Sequence, residues 1–484
     1  MSSTSAKNNA FYNLAGAIIP AVVAILTIPP YLREIGESRY GVLSVLWLIF
    51  GYFGLFDFGL SRATAHRLST LRNSDPQSQA TLFFSSVLLN AGLGLSVAAV
   101  FYVIAIPILN MSTDLAGELH SEMLRALPWI TGFFPIALLN GVLVGCLEAR
   151  ERFFQLNLQQ VVGAILLQCL PLAFVYVLGS NLEYAVAGAV AARTLAVAWM
   201  ACDCLGWAFT SGNPRINRTY VKELLRYGGW ITISNGINPI LVGADQLLIG
   251  LQLNAAAVAN YSVPSSMASK LFILPAALMR ALFPRLANSK ATEARDLSHK
   301  ALIILSATMT LICVPAILLA NAGLRMWIGN DFAQSSHVVA ELLLVGTWVN
   351  GLAFVPYTLL QGQNKPAIIA KLHAAEVVPY ILVLLLSIEI FGVAGAALAW
   401  CLRVTVDGCL MFYFADFYAG DLKHLVAPGA ALLIAFLVAE AAAPGLLSAL
   451  GWSAAILSLL FAFLLTRDEI IISLIRPMIL RMTK

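Results

Sequence analysis

Residues 40–72, YGVLSVLWLIFGYFGLFDFGLSRATAHRLSTLR, decide what kind of protein this is. The stretch opens with about twenty apolar residues interrupted by a single acid, Asp57, and ends in a polar, basic run with Arg62, His66, Arg67 and Arg72. A helix rises 1.5 Å per residue, so about 20 apolar residues cross a bilayer core of roughly 30 Å, and Lys and Arg collect at the cytoplasmic end of such a span. The stretch reads as one membrane crossing, its inner end, and an ionisable group within the membrane.

Outward from there the composition repeats the message. Of 484 residues, 60% are hydrophobic and 11% charged, with a mean hydropathy of +0.84, where soluble domains carry about 25% charged residues. So few charges cannot cover the apolar surface of a soluble fold of this length. The chain reads as an all-α polytopic membrane protein. Its net charge of +4 is small and lies mostly on one side, so it reports topology and no nucleic-acid partner is expected. The seven cysteines form no C-x-x-C pair and read as packing residues. There is no G-x-x-x-x-G-K-[ST], and neither face shows paired carboxylates or a metal cluster, so the expectation is a non-enzyme with no cofactor, metal or ATP site.

Fourteen apolar runs predict helices near 10–32, 40–60, 80–109, 126–147, 157–179, 184–209, 228–251, 256–283, 300–321, 338–360, 367–390, 393–418, 425–443 and 449–466. The first run is too long for a signal-peptide core and is expected to remain as a helix ending at Pro29 and Pro30. With the amino terminus inside, 22 of the 29 Lys and Arg fall in cytoplasmic segments, and only Arg33, Arg39, Arg125 and Arg325 fall opposite. Arg193, Lys270 and Arg403 remain within helices. That bias puts both termini in the cytoplasm and asks for an even number of spans. The acidic connection from Asn110 to Arg125, with Asp114, Glu118 and Glu122, reads as a short interfacial helix. The tail RDEIIISLIRPMILRMTK reads as an amphipathic segment on the inner leaflet, broken at Pro477.

The two halves echo one another. QVVGAILLQCLP from Gln160 and EVVPYILVLLL from Glu376 open the fifth and eleventh helices, and AGAVAARTL from Ala187 and AGAALAWCLR from Ala394 the sixth and twelfth. LVGCLEARERF near Leu143 and LLQGQNKPAII near Leu359 end the fourth and tenth. Three matches in one order at nearly one offset predict a six-plus-six repeat with both halves oriented alike. The expected organisation is a six-helix lobe over 1–210, a basic cytoplasmic linker over 211–226, a second six-helix lobe over 227–420, two additional helices over 421–466, and a cytoplasmic tail over 467–484.

These residues also carry a family likeness. NNAFYNLAGAIIPAVVAILTIPPYLREIG from Asn8, then RYGVLSVLWLIFGYFGLFDFGLSRA from Arg39 with its D-x-G-L-S-R at 57–62, resembles the opening of the polysaccharide-transporter (Wzx-type) flippases. Those belong to the multidrug/oligosaccharidyl-lipid/polysaccharide exporter superfamily. GADQLLIGLQLNAAAVANYSV from Gly243 is similar to the family's second-half counterpart, with Asp245 early in it and Tyr261 matching Tyr40. The resemblance spans roughly residues 9–420. It implies two pseudo-symmetric, MATE-like six-helix lobes that open alternately to either side, plus the two extra helices. It also implies a cargo, the undecaprenyl-pyrophosphate-linked repeat unit of O-antigen, capsule or exopolysaccharide, moved to the periplasmic leaflet of a bacterial inner membrane. Membrane lipids and polysaccharide polymerase machinery are the partners it implies. Two drives fit such transport: a proton or sodium gradient, or removal of the product downstream.

An ionisable group at the centre of a membrane helix costs roughly 2.5–3.5 kcal/mol, so it faces a cavity or a partner. Arg193, Arg403 and Lys270 are therefore the substrate-binding candidates, since a guanidinium fork suits pyrophosphate oxygens. Arg403 also stands four residues before Asp407, so neutralisation along one helix face is a second reading. Glu376, Asp245, Asp57 and Asp407 are the ion-coupling or gating candidates. Glu376 replaces Gln160 of the first half, with a hydrogen bond to Asn, Tyr or Lys270 as its second reading; Asp57 reads first as structural, positioned with Arg62 near the inner gate, and Asp203 as a solvated or capped acid. Trp129, Trp199, Trp230, Trp348 and Tyr357 could stack on sugars, but at helix ends such residues more often anchor at the interface. Two other functions compete: a cation-coupled multidrug exporter of the same superfamily, and a membrane polysaccharide polymerase or ligase. The extra helix pair and basic inner loops argue against the first, and the short outer loops against the second.

Overall fold

A computed structural model of the chain describes residues 3–51, 59–71, 75–111, 117–235 and 237–467. Asp57, Arg72, Asp114 and the tail beyond 467 lie outside them. Helix is the regular structure of the described residues: α1 Ser3–Gly51, α2 Leu60–Thr70, α3 Pro76–Met111, α4 Glu118–Ala149, α5 Phe153–Leu178, α6 Leu182–Ser211, α7 Arg218–Asn235 and α8 Ile237–Gln252. They continue with α9 Ala255–Lys270, α10 Ile273–Asn288, α11 Ala291–Trp327, α12 Asn330–Gly362, α13 Pro366–Phe414, α14 Val426–Ala442 and α15 Leu446–Arg467. The chain divides into two compact units, 1–243 with 254–259, and 244–253 with 260–484.

Two of these helices are too long to be single crossings. Each of α1 and α13 holds 49 residues, about 74 Å if straight, more than twice the thickness of a hydrocarbon core. Both fold back at a glycine. Gly36 has φ 76° and Gly392 φ 59°, ψ −137°, backbone that a side chain strongly disfavours. In α1 the rings of Tyr31 and Trp47 stand 5.5 Å apart, a distance that residues sixteen positions apart reach only if the chain reverses. In α13 the pairs Glu376–Arg403 and His373–Asp407 join the two limbs in the same way. The α1 hairpin holds the predicted run 10–32 and the part of 40–60 up to Gly51, and the α13 hairpin holds 367–390 and the part of 393–418 up to Phe414. Eleven segments of the described residues are long and apolar enough to cross a membrane, with Leu241–Gln252 a shorter apolar helix.

Two expectations change. Pro29 and Pro30 lie inside α1 rather than ending it, since a membrane helix accommodates proline where neighbours take up the freed carbonyls. The acidic connection is not an interfacial helix as far as Glu118 and Glu122 are concerned, because α4 begins at Glu118. Glu122 is 0% exposed and accepts Arg39 Nε at 2.7 Å, Arg39 Nη2 at 2.6 Å and the Leu182 backbone N–H at 3.0 Å. The bidentate guanidinium compensates the buried charge, and Leu182 N–H is one of the donors that the start of α6 leaves without a helical partner. One carboxylate thus joins α1, α4 and α6.

In the first unit α4 packs against α2, α3 and α6, and α5 against α1 and α6. Leu60, Phe83, Leu143, Leu147, Met200 and Cys204 form a closed apolar core there. In the second unit α12 packs between α11 and α13, with α14 and α15 on α11. Met309, Leu352, Val355, Leu359, Met411 and Ala435 share that core, so α14 is built into it and is no loose appendage. Trp348 is buried in this core with Nε1 donating to Thr310 Oγ1 at 2.8 Å, so it neither stacks on sugar nor anchors at an interface. Large apolar residues such as Val103, Val177, Leu386 and Leu447 stay exposed, as a lipid-facing surface requires.

Candidate functional site

The second unit gathers most of the intramembrane charges into one network, built on the α13 hairpin. Its first limb carries His373, Glu376 and Tyr380 at successive i+3 and i+4 steps, hence on one face; its second limb carries Arg403 and Asp407 four apart. Folding at Gly392 turns these faces toward each other. Arg403 Nε donates to Glu376 Oε2 at 3.3 Å, and His373 Nε2 lies 3.8 Å from Asp407 Oδ1. The pairs step backward along one limb and forward along the other, as antiparallel limbs require. The Arg403 guanidinium also stands 5.4 Å from the centre of the Tyr380 ring, close enough for a cation–π attraction.

Asp245 joins from α8. The hydroxyl of Tyr261, on α9, donates to Asp245 Oδ2, and the Gln246 N–H donates to Oδ1 at 2.8 Å. Arg403 and Tyr380 are its electrostatic neighbours. The network therefore holds three carboxylates against one guanidinium and one imidazole. Its charges are buried or nearly so, Glu376 and Asp407 face one another, and among the described residues no N–H or hydroxyl donates to Glu376 Oε1 or Asp407 Oδ1, and the Tyr380 hydroxyl has no partner. Buried polar atoms left this way cost free energy unless something else binds them. Beside them Glu376, Tyr380 and Arg403 line a cavity of about 260 Å³ whose other walls include Leu372, Val383, Leu402 and Val406, and the surface it presents is almost wholly hydrocarbon. A charged network directly behind an apolar wall suits the hydrocarbon part of an amphipathic ligand.

Of the residues singled out by sequence, the structure brings Arg403, Glu376, Asp245 and Asp407 together. Arg403 pairs with Glu376, across the hairpin, where the sequence suggested Asp407 along the helix. Lys270 closes α9 and forms no ion pair among the described residues. Arg193 belongs to the first unit, on α6, half-buried with its Nε unpartnered. Asp203, on the same helix, is capped by the amides of Gln155 and Gln159. His373 and Tyr380 were not evident from sequence; the signal available was their i−3 and i+4 spacing from Glu376.

With this geometry in hand, the comparisons with known proteins are informative. The profile of a family described as polysaccharide biosynthesis protein matches residues 6–290. A putative O-antigen transporter of Shigella flexneri is 31% identical over 410 residues, covering 83% of this chain and 96% of that protein. Among solved structures, the chain is similar in fold to the lipid II flippase MurJ in an inward closed conformation, with a TM-score of 0.69 at 12% identity over 94% of this chain and 98% of that one. It is equally similar to an inward-facing multidrug resistance MATE family transporter of the MOP superfamily, with a TM-score of 0.68 at 15% identity over 86% and 99%. At these identities the likeness speaks for the fold: an all-α membrane transporter architecture.

Proposed function

The chain belongs to the polysaccharide biosynthesis protein family, and from that membership we propose that it is a flippase that moves an undecaprenyl-pyrophosphate-linked oligosaccharide from the cytoplasmic to the periplasmic leaflet of a bacterial inner membrane. The observation that carries the reading is the match to an O-antigen transporter along nearly that protein's whole length. The candidate site adds a physical reason. A lipid-linked oligosaccharide needs charged groups for its pyrophosphate, while its polyprenyl tail stays in hydrocarbon, and the α13 hairpin sets a charged network directly behind an apolar cavity.

In this reading the lobes over 1–210 and 227–420 work by alternating access, with both termini cytoplasmic as the Lys/Arg bias favours. Arg403 of the second unit is assigned to the pyrophosphate, and Arg193 of the first unit and Lys270 are further candidate cations for the cargo. A guanidinium already held by Glu376 can exchange that carboxylate for a phosphate oxygen without exposing a bare charge. The carboxylate left behind then takes up a proton or a sodium ion, since the site holds more acids than cations. Glu376, Asp407 and Asp245 are the coupling groups, and Asp57 is assigned to the inner gate. Polymerase machinery receives the product. The chemistry is translocation, so no bond in the cargo is made or broken.

The test is flipping of a fluorescent undecaprenyl-pyrophosphate oligosaccharide in proteoliposomes. Native protein is expected to move it, and Arg403→Ala and Arg193→Ala each to abolish movement while remaining folded. Native protein that leaves this lipid in place but exports small organic cations against a proton or sodium gradient would overturn the reading in favour of a drug exporter.

A further inference from the structure

Away from the α13 network, α12 and α14 bring together three side chains that the transport reading does not use. His337 and Glu341 sit one turn apart on α12, and Glu440 lies near the end of α14. Their ligating atoms all fall within 4.8 Å of one another. Glu341 is 1% exposed, and among the described residues no N–H or hydroxyl of another residue type donates to either of its carboxylate oxygens, which face Glu440. Two ionised carboxylates facing each other have no donor between them, so the pair is satisfied by a shared proton or by a cation. His337 Nδ1 lies 2.9 Å from the Ala333 carbonyl oxygen. A carbonyl only accepts, so Nδ1 carries the hydrogen and Nε2 keeps a free lone pair, the tautomer that a metal-binding imidazole needs.

We propose that His337, Glu341 and Glu440 form a binding site for a divalent transition-metal ion, zinc in the first instance. One imidazole and two carboxylates are a donor set that zinc accepts, and three protein ligands leave a position for water. The charges balance: a divalent cation neutralises two carboxylates that otherwise confront each other in an apolar bundle. The size is right as well. Bonds of about 2 Å in a tetrahedron place donors ~3.3 Å apart, which donors already gathered within 4.8 Å reach by side-chain rotation. Glu440 is exposed, so an ion can enter from the membrane surface, at the end that the Lys/Arg bias assigns to the outside. Bound there, the ion pins α14 to α12 and so ties the additional helix pair to the lobe it packs on.

The test uses the full-length protein in detergent, without a polyhistidine tag, stripped with chelator and titrated with zinc chloride by calorimetry and by equilibrium dialysis with metal analysis. Native protein is expected to bind one zinc per chain at this site, and to melt at a higher temperature with zinc than without. His337→Ala and Glu341→Gln are expected to weaken that binding at least tenfold and to lose the thermal shift. His299→Ala, altering a histidine in ring contact with His424 away from the site, should leave both unchanged. Should Glu341→Gln fail to fold, the exposed Glu440→Gln takes its place. Equal binding by native protein and the site variants, or no binding by native protein, overturns the proposal; the latter outcome leaves Glu341 and Glu440 sharing a proton instead.

Discussion

Removing Arg403 and Glu376 separately and together distinguishes what the ion pair does for stability from what it does for transport. The pair is nearly buried, at 12% and 10% side-chain exposure. In Arg403→Met, Glu376 loses the guanidinium it pairs with, while Asp407 keeps His373 and Asp245 keeps Tyr261. Stranding one partner of a buried pair costs about 3–5 kcal/mol, and with some exposure left ~3 kcal/mol is expected here. At 1.36 kcal/mol per factor of ten, that is roughly a 150-fold shift in the unfolding equilibrium. Replacing both partners by uncharged residues of similar volume is often close to neutral, so Arg403→Met with Glu376→Gln is expected within ~1 kcal/mol of native. The implied coupling is at least ~2 kcal/mol, above what residues out of contact show. The assay is reversible unfolding in mixed micelles for all four proteins, followed by the flipping assay on those that fold. The double variant is expected to be stable yet inactive. Additive single effects would refute the energetic argument, and a double variant that flips at the native rate would refute the assignment of Arg403 to the cargo.

Two further perturbations probe the frame around the site. Glu122→Ala leaves the Leu182 N–H unpaired and Arg39 with only the exposed Glu118, and thermal melting in detergent should show a loss of about 2 kcal/mol, with Arg39→Ala adding little to it; full additivity would contradict the pairing. Gly392→Ala meets no atom within 4 Å, so any loss is backbone strain alone, of order 1–3 kcal/mol at φ 59°, ψ −137°; an unchanged melting temperature would mean the α13 turn is not held in that conformation.

Much of the fold was legible because membrane helices announce themselves by length and apolarity. Among the described residues the predicted runs fall mainly on helix, with 228–251 divided between α7 and α8, 256–283 between α9 and α10, and 367–390 and 393–418 sharing the α13 hairpin. Glu118 and Glu122 were misjudged because an acid in a span reads as a break until its partner is known, and Arg39 lies far away in sequence. The site was half legible. Arg403, Glu376, Asp245 and Asp407 stand out as charges inside apolar runs, whereas His373 and Tyr380 acquire meaning from the partners that the fold at Gly392 brings opposite. His337, Glu341 and Glu440 were invisible for the same reason: no short spacing joins α12 to α14, and the cluster exists only once those helices pack.

The carboxylate of Glu122 also bears on how the protein is made. A polytopic chain is threaded into the bilayer in order, from its amino terminus. Arg39 enters first, and Glu122, which follows 83 residues later, can already bind it, but the third connection waits another 60 residues for Leu182. Until then the acid has one lone pair fewer engaged and α1 and α4 are joined by the guanidinium alone. The clasp closes only when α6 arrives, so a chain halted before Leu182 should show a first hairpin that is still open to proteolysis and extraction, whereas a chain a few residues longer should not.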